Sequence, residues 1–202
     1  MASDMRSFFA EIDRYADAVA TQRASLEADI WARYGRDRAM LALDMSDFSL
    51  SVRRDGVLSY LCRIRRMHAI TAPLVARHGG EVVKYEADNL LAAFEQPRSA
   101  LAAAIAIHQQ MHADPQAQPV SIGLSYGRVL LIDGCDAHGD AVNTAFKLGE
   151  DVARRSEILA CGHFIDAIGA DHGHRIEARP STIAGLQLDA WRIHLQQTAD
   201  EG

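Results

Sequence analysis

Two carboxylates stand where an acid is costly. Asp44 lies near the end of the apolar run Ala39–Met45, and Asp88 interrupts the otherwise apolar stretch that ends at Phe94. A carboxylate in such a strand is unfavourable unless it reaches water at the sheet end or binds something. If the first strand lies beside the 81–94 segment, both acids converge at one place. Two carboxylates, completed by water and substrate oxygens, suit Mg²⁺ or Mn²⁺. A solvated strand end and a hairpin-turn aspartate account for the same two residues.

Other chemistries lack their patterns. There is no P-loop, no GxGxxG after a strand, no GxSxG elbow and no histidine pair at HExxH spacing. His172 and His174 read as an exposed loop, and Arg63, Arg65 and Arg66 as the solvated face of a helix. Cys62, Cys135 and Cys161 are odd in number, far apart and without a CxxC, so neither a disulfide framework nor structural zinc is expected.

The elements that must position the acids follow from periodicity. Residues 4–34 read as one helix, with Phe8, Ile12, Tyr15 and Val19 near helical spacing and Gly35 as its terminating residue. Residues 39–45 form a buried strand. A helix carrying Val57, Leu58, Leu61 and Ile64 follows, with Pro73 as a kink or restart. Glu81–Phe94 reads as a hairpin turning near Ala87-Asp88-Asn89. Pro97 opens a second helix. Val120–Ile132 reads as a second hairpin turning at Tyr126-Gly127. A third helix is expected from about Asp140 to Arg155, then a short strand at 157–160, a short helix at 163–168 and a last strand at 190–195. This order predicts an α+β protein, a mixed, mainly antiparallel sheet with helices on one side. The division expected is a helical segment over 1–36 and one domain over 37–197.

Composition sets the outer bounds. The chain has 202 residues, of which 49% are hydrophobic and 24% charged, so it can bury a real core and is not disordered throughout. The net charge is −6, which argues against nucleic acid as a partner. No apolar run is long enough for a membrane span, and the start is too acidic for a signal peptide, so a cytoplasmic location is expected.

The segment from Asp136 to Leu148, DAHGDAVNTAFKL, resembles the class III adenylate/guanylate cyclase catalytic domain: a base-reading residue, a Gly, Val-Asn, and a basic residue four positions later. Three more blocks agree in order and spacing. LALDMSDFS resembles the family's first metal strand, HGGEVVKYEADNLLAAF its Gly-Gly, Lys and second metal Asp, and VSIGLSYGRV its Ile-Gly-x-x-x-Gly block. The resemblance runs from about Ala39 to Leu195. Arg77-His78-Gly79-Gly80 also superficially resembles the GGDEF motif of diguanylate cyclases. Glu81, Val82 and Val83 then follow where two acids and an aromatic are required, and the Val-Asn helix has no counterpart there.

The resemblance implies a ferredoxin-like cyclase fold and a site made of specific residues. Asp44, Asp88 and the carbonyl of Met45 would hold two divalent cations, Mg²⁺ or Mn²⁺. Lys84 and Asp136 would read the purine, Asn143 would orient the ribose, and Lys147 would take the place of the usual arginine at the transition state. The implied reaction turns ATP, or GTP, into the 3′,5′-cyclic nucleotide and pyrophosphate at a homodimer interface. Three departures suggest low activity. Ala87 replaces the usual Gly, Lys147 replaces arginine, and Ala184-Gly185 stands where many members have Lys-Gly, with Arg179 a nearby candidate cation. The alternative is a catalytically silent, nucleotide-binding regulatory or interaction domain.

Overall fold

The structure, a computed structural model, describes residues 2–46, 53–183 and 186–195. The helical segment is two helices, not one: α1 (Ala2–Asp17) and α2 (Ala20–Tyr34). No Gly or Pro marks the break. Val19 is extended, and the Arg23 guanidinium donates to the Ala16 and Ala18 carbonyls that the interrupted helix leaves open. The two helices pack through Phe8, Ile30 and Tyr34 onto Ile132.

Gly35 does not terminate a helix in the left-handed region. It is extended (φ −68°) and begins β1 (Gly35–Met45), four residues earlier than the apolar run suggests. A Cβ there would stand 2.3 Å from the Trp31 carbonyl oxygen, so the tight exit from α2 requires Gly. Then come α3 (Val57–Arg77), β2 (Gly80–Glu86), β3 (Asn89–Phe94) and α4 (Pro97–Ala113). Pro73 lies within α3 without ending it.

Val120–Ile132 is not a hairpin. It is one long strand, β4, because β1 runs antiparallel to it from Gly35↔Leu130 to Met45↔Val120. Tyr126 and Gly127 sit inside that ladder, opposite Ala39 and Arg38. The chain reverses afterwards, where Gly134 takes φ 62°, and returns as β5 (Asp136–His138).

The expected third helix divides into α5 (Asp140–Phe146) and a π-helical stretch (Lys147–Val152). Close approach to the sheet accompanies the change of ladder. A Cβ on Gly123 of β4 would meet the Ala145 carbonyl oxygen at 2.0 Å and the Gly149 nitrogen at 2.5 Å. The remaining elements are β6 (Ile158–Cys161), α6 (Gly162–Ile168), β7 (Arg175–Ala178), the β8–β9 hairpin (Ser181–Ile183, Leu186–Leu188) and β10 (Ala190–His194). Periodicity gives no sign of β7 to β9, which are three or four residues each.

The main sheet has the order β2-β3-β1-β4-β6-β10-β7, with β5 on β4. All its pairings are antiparallel except β4 with β6. Helices cover both faces rather than one. Leu41, Leu43 and Met45 point to α3 and α4, while Met40 and Ala42 point to Ala141, Val142 and Ala145 of α5. Apolar residues at successive positions of β1 signal a strand buried on both sides.

Candidate functional site

Asp44 and Asp88 converge because of register. Asp44 pairs across the β1–β3 ladder with Asn89, and Asp88 is the turn residue immediately before Asn89. Strand alternation puts Asp44 on the face of Met40 and Ala42, the α5 side. Burial first, then the charges of Asp88 and Glu150, push the Asp44 carboxyl up to about 7. Asp88 is buried and is likewise raised by burial, opposed by a hydrogen bond to its own backbone and one from the Tyr60 hydroxyl of α3. Tyr60 is raised in turn, by burial and then by the Asp88 charge.

Glu150 is the residue that sequence reasoning missed. It lies on the π-helical stretch, accepts a 2.7 Å hydrogen bond from Asn89 Nδ2, raises Asp44 by its charge and is itself raised by burial and then by nearby carboxylates including Asp88. Helical counting from Asn143 gives no such placement, because the π-turn shifts every later position.

Asp44 and Asp88 provide hard oxygen donors, and the Met45 carbonyl follows next in the chain. Among the described residues, no group of three or more His, Cys, Asp or Glu is arranged to hold a metal. Two carboxylates fit a hard divalent ion that takes its other oxygens from water, backbone and phosphate, as Mg²⁺ and Mn²⁺ do. They do not fit a closed zinc cage.

Lys84 and Asp136 also meet, Nζ to Oδ1 at 3.0 Å, with Glu86 at 3.4 Å from the same ammonium. A β-bulge between Val82 and Lys84 makes this possible. Val82 packs on the α3–α4 side, whereas Val83 and Lys84 both follow Leu91 to the α5 side. Burial pulls the Lys84 pKa down, but the hydrogen bond and charge of Asp136, aided by Glu86, hold it above its ordinary value. The carboxylate of Asp136 is fixed in turn by the Ala137 amide.

Asn143 and Lys147 lie one turn apart. Asn143 is exposed, and Lys147 is half-buried where α5 becomes π-helical. No hydrogen bond or ion pair among the described residues joins Asp44 or Asp88 to Lys84, Asp136, Asn143 or Lys147. One chain therefore presents an acidic group and a separate mixed group. Arg179 is not a spare cation, because it is ion-paired with the buried Glu157. Ala184 and Gly185, like Asp47 to Ser49 of the first block, lie outside the described residues.

No known family profile matches the chain. A protein of Rhizobium meliloti provisionally named adenylate cyclase 3 is 29% identical over 116 residues, 54% of this chain. The chain spans only 20% of that relative's length. The crystal structure of an adenylate/guanylate cyclase/hydrolase from Silicibacter pomeroyi superposes with a TM-score of 0.68 at 25% identity, covering 79% of this chain and 96% of that one. The catalytic core of a rhodopsin-guanylyl cyclase with converted specificity, in complex with ATPαS, gives a TM-score of 0.70 at 16% identity, covering 79% and 98%. The resemblance read from the sequence holds: the fold is that of the class III adenylate/guanylate cyclase catalytic domain. Among the described residues, no helix is long and apolar enough to cross a membrane.

Proposed function

We propose that this chain is a class III nucleotide cyclase that forms 3′,5′-cyclic AMP and pyrophosphate from ATP in the cytoplasm. In this reading residues 37–197 are the catalytic domain and 1–36 an appended helical segment. The observation that carries the reading is the meeting of two predicted pairs, Asp44 with Asp88 and Lys84 with Asp136. Bound Mg²⁺ or Mn²⁺ would supply charge neutralisation at the triphosphate and a lower pKa for the ribose 3′-hydroxyl.

The side chains divide the remaining work. Asp44, Asp88 and the Met45 carbonyl hold the cations. Lys84 donates to a ring nitrogen, and Asp136, which when ionised only accepts, takes the exocyclic amine of adenine. Guanine carries a carbonyl at that position and would face Asp136 acceptor to acceptor, so ATP is preferred. Asn143 orients the ribose, and Lys147 places a positive charge beside the α-phosphate. Positioning and charge supply most of the catalysis in phosphoryl transfer. The loss of arginine's planar fork at Lys147 makes the enzyme slow.

A homodimer supplies the missing proximity: the acidic group of one protomer faces Lys84, Asp136, Asn143 and Lys147 of its partner. The test is incubation with ATP or GTP and Mn²⁺, followed by chromatography. Cyclic AMP should accumulate faster than cyclic GMP. Asp44→Ala and Asn143→Ala proteins should each be inactive, and their mixture should regain activity. A wild type that makes neither product, or a fully exchanged mixture that stays inactive, defeats the corresponding part of the reading.

A further inference from the structure

The arginines on the outer side of α3 do not simply face water. Arg63, Arg65 and Arg66 line a cleft of about 1060 Å³ with Arg54, Arg155 and the loop between α4 and β4. Among the described residues, no acidic side chain lines it. This occurs in a protein whose overall charge is −6, so the cluster opposes the general trend. The cleft is walled by α3 and the α4–β4 loop, whose Gln118 donates to the Ser46 carbonyl and whose Pro119 carbonyl accepts from the Ser46 amide, whereas Asp44 faces the α5 side.

Two of the guanidinium groups are held from behind. Asp114 is buried and accepts from Arg66 Nε and Nη2, each at 2.6 Å, leaving the other terminal nitrogen of that fork unused by it. The Asp114 carboxylate is itself fixed by the Gln116 amide at 2.9 Å, so the loop and the arginine form one unit. Arg63 is spanned between Asp55 Oδ2 at 2.5 Å and Gln118 Oε1 at 3.4 Å. Arg54 also bonds Asp55. Asp55 thus holds Arg54 and Arg63, Asp114 holds Arg66, and Arg63 and Arg66 are preorganised, which lowers the ordering cost of binding.

We propose that this cleft is a binding site for a condensed-phosphate anion, of the pyrophosphate class, separate from the candidate catalytic face. Several planar forks converging on one space match an anion with multiple phosphoryl oxygens, because arginine can bond two of them in parallel. The uncharged lining includes Pro115, Ala117 and Pro119, with no aromatic ring among the described residues to stack on a base. The phosphate chain, rather than a nucleoside, is therefore the recognised part.

The experiment uses the full chain, stripped of metal with chelator, and titrates inorganic pyrophosphate by calorimetry. Saturable binding at one site per chain is expected, with much weaker binding of sulfate. Arg65→Glu combined with Arg54→Glu should weaken it roughly 100-fold or more, since each change removes a charge-assisted hydrogen bond worth about 10- to 100-fold. Arg155→Gln, at a separate wall of the cleft, should weaken it less. Lys147→Ala should leave it unchanged. Absence of binding by the wild type overturns the proposal, as does sulfate binding as tightly as pyrophosphate. Binding that survives the arginine variants but is lost in Lys147→Ala puts the anion at the candidate catalytic face and also overturns it. Because the readout is metal-free binding, the result is independent of whether the protein cyclises ATP.

Discussion

The acidic end and the cation-bearing end are built on opposite electrostatic plans. At the acidic end, burial raises Asp44, Asp88 and Glu150 alike, the charges of Asp88 and Glu150 raise Asp44 further, and no Lys or Arg pairs with them among the described residues. At the other end, Lys84 and Asp136 already satisfy each other. Removing a charge therefore has opposite consequences at the two ends. At the acidic end it relieves repulsion, so the carboxylates cost stability and are explained by binding. At the other end it breaks a pair, so what a substrate must do there is compete with a contact already made. That pair is partly exposed, which keeps its opening inexpensive.

The largest expected effect comes from neutralising the acidic end. Asp44→Asn should lower kcat by about 10³-fold or more, the size seen when preorganised charge at a transition state is lost. The same change should stabilise the metal-free protein. The folded carboxyl titrates near 7, above its ordinary value of 3.8. Between those values the native state holds a proton that the unfolded chain has released, so the Asp44 contribution falls as pH rises through that window. It then stays unfavourable above about 7. Thermal unfolding at pH 8 should show the Asp44→Asn protein melting above the wild type, with the gap closing as pH falls towards 4. A mutant that is less stable at pH 8 contradicts the contrast between the ends.

The second effect sharpens the other half. Lys84→Glu with Asp136→Cys inverts the hydrogen-bond pattern offered to the base. Preference should move from ATP towards GTP by roughly 10- to 100-fold in kcat/KM, the consequence of a charged hydrogen bond worth about 1.5–3 kcal/mol. An active double mutant with unchanged preference removes these residues from base reading.

Legibility in the sequence followed the same division. Asp44 and Asp88 were visible because an acid in an apolar strand breaks a pattern, and β1 and the β2–β3 hairpin carry strong patterns. Lys84 and Asp136 drew attention only through the family resemblance, since a lysine on a strand is ordinary. Their contact depends on the bulge after Val82, which no local composition announces. The continuity of β4 through Tyr126-Gly127 is a tertiary fact, imposed by eleven paired positions of β1. Glu150 was hidden by the π-turn, which accompanies the close approach of Gly123 and Gly149 across two layers.

A smaller effect is expected where α5 meets the π-helix. Lys147 keeps the charge of an arginine but not its two parallel donors. Lys147→Arg should raise kcat by less than about tenfold, since a whole oxyanion donor is worth ~10²–10³ and the charge is already present. KM should change little if the added contact forms only in the transition state. A change confined to KM would mean the residue serves ground-state binding instead.

The smallest effect concerns the turn that carries Asp88. Ala87 sits at φ 51°, in the left-handed region where a Cβ crowds the following carbonyl oxygen. That conformation costs an alanine about 1–2 kcal/mol. Glycine avoids the clash but loses more backbone entropy on folding, which takes back roughly 0.5–1 kcal/mol. Ala87→Gly should therefore stabilise the protein by about 1 kcal/mol or less, read as a shift in the denaturation midpoint with an unchanged slope. Its effect on activity should be slight, because Asp88 is also held by Tyr60 and by its own backbone hydrogen bond. A marked loss of activity on this change would show that the strained turn, rather than those two bonds, sets the position of the second carboxylate. The acidic end would then depend on backbone strain as well as on charge.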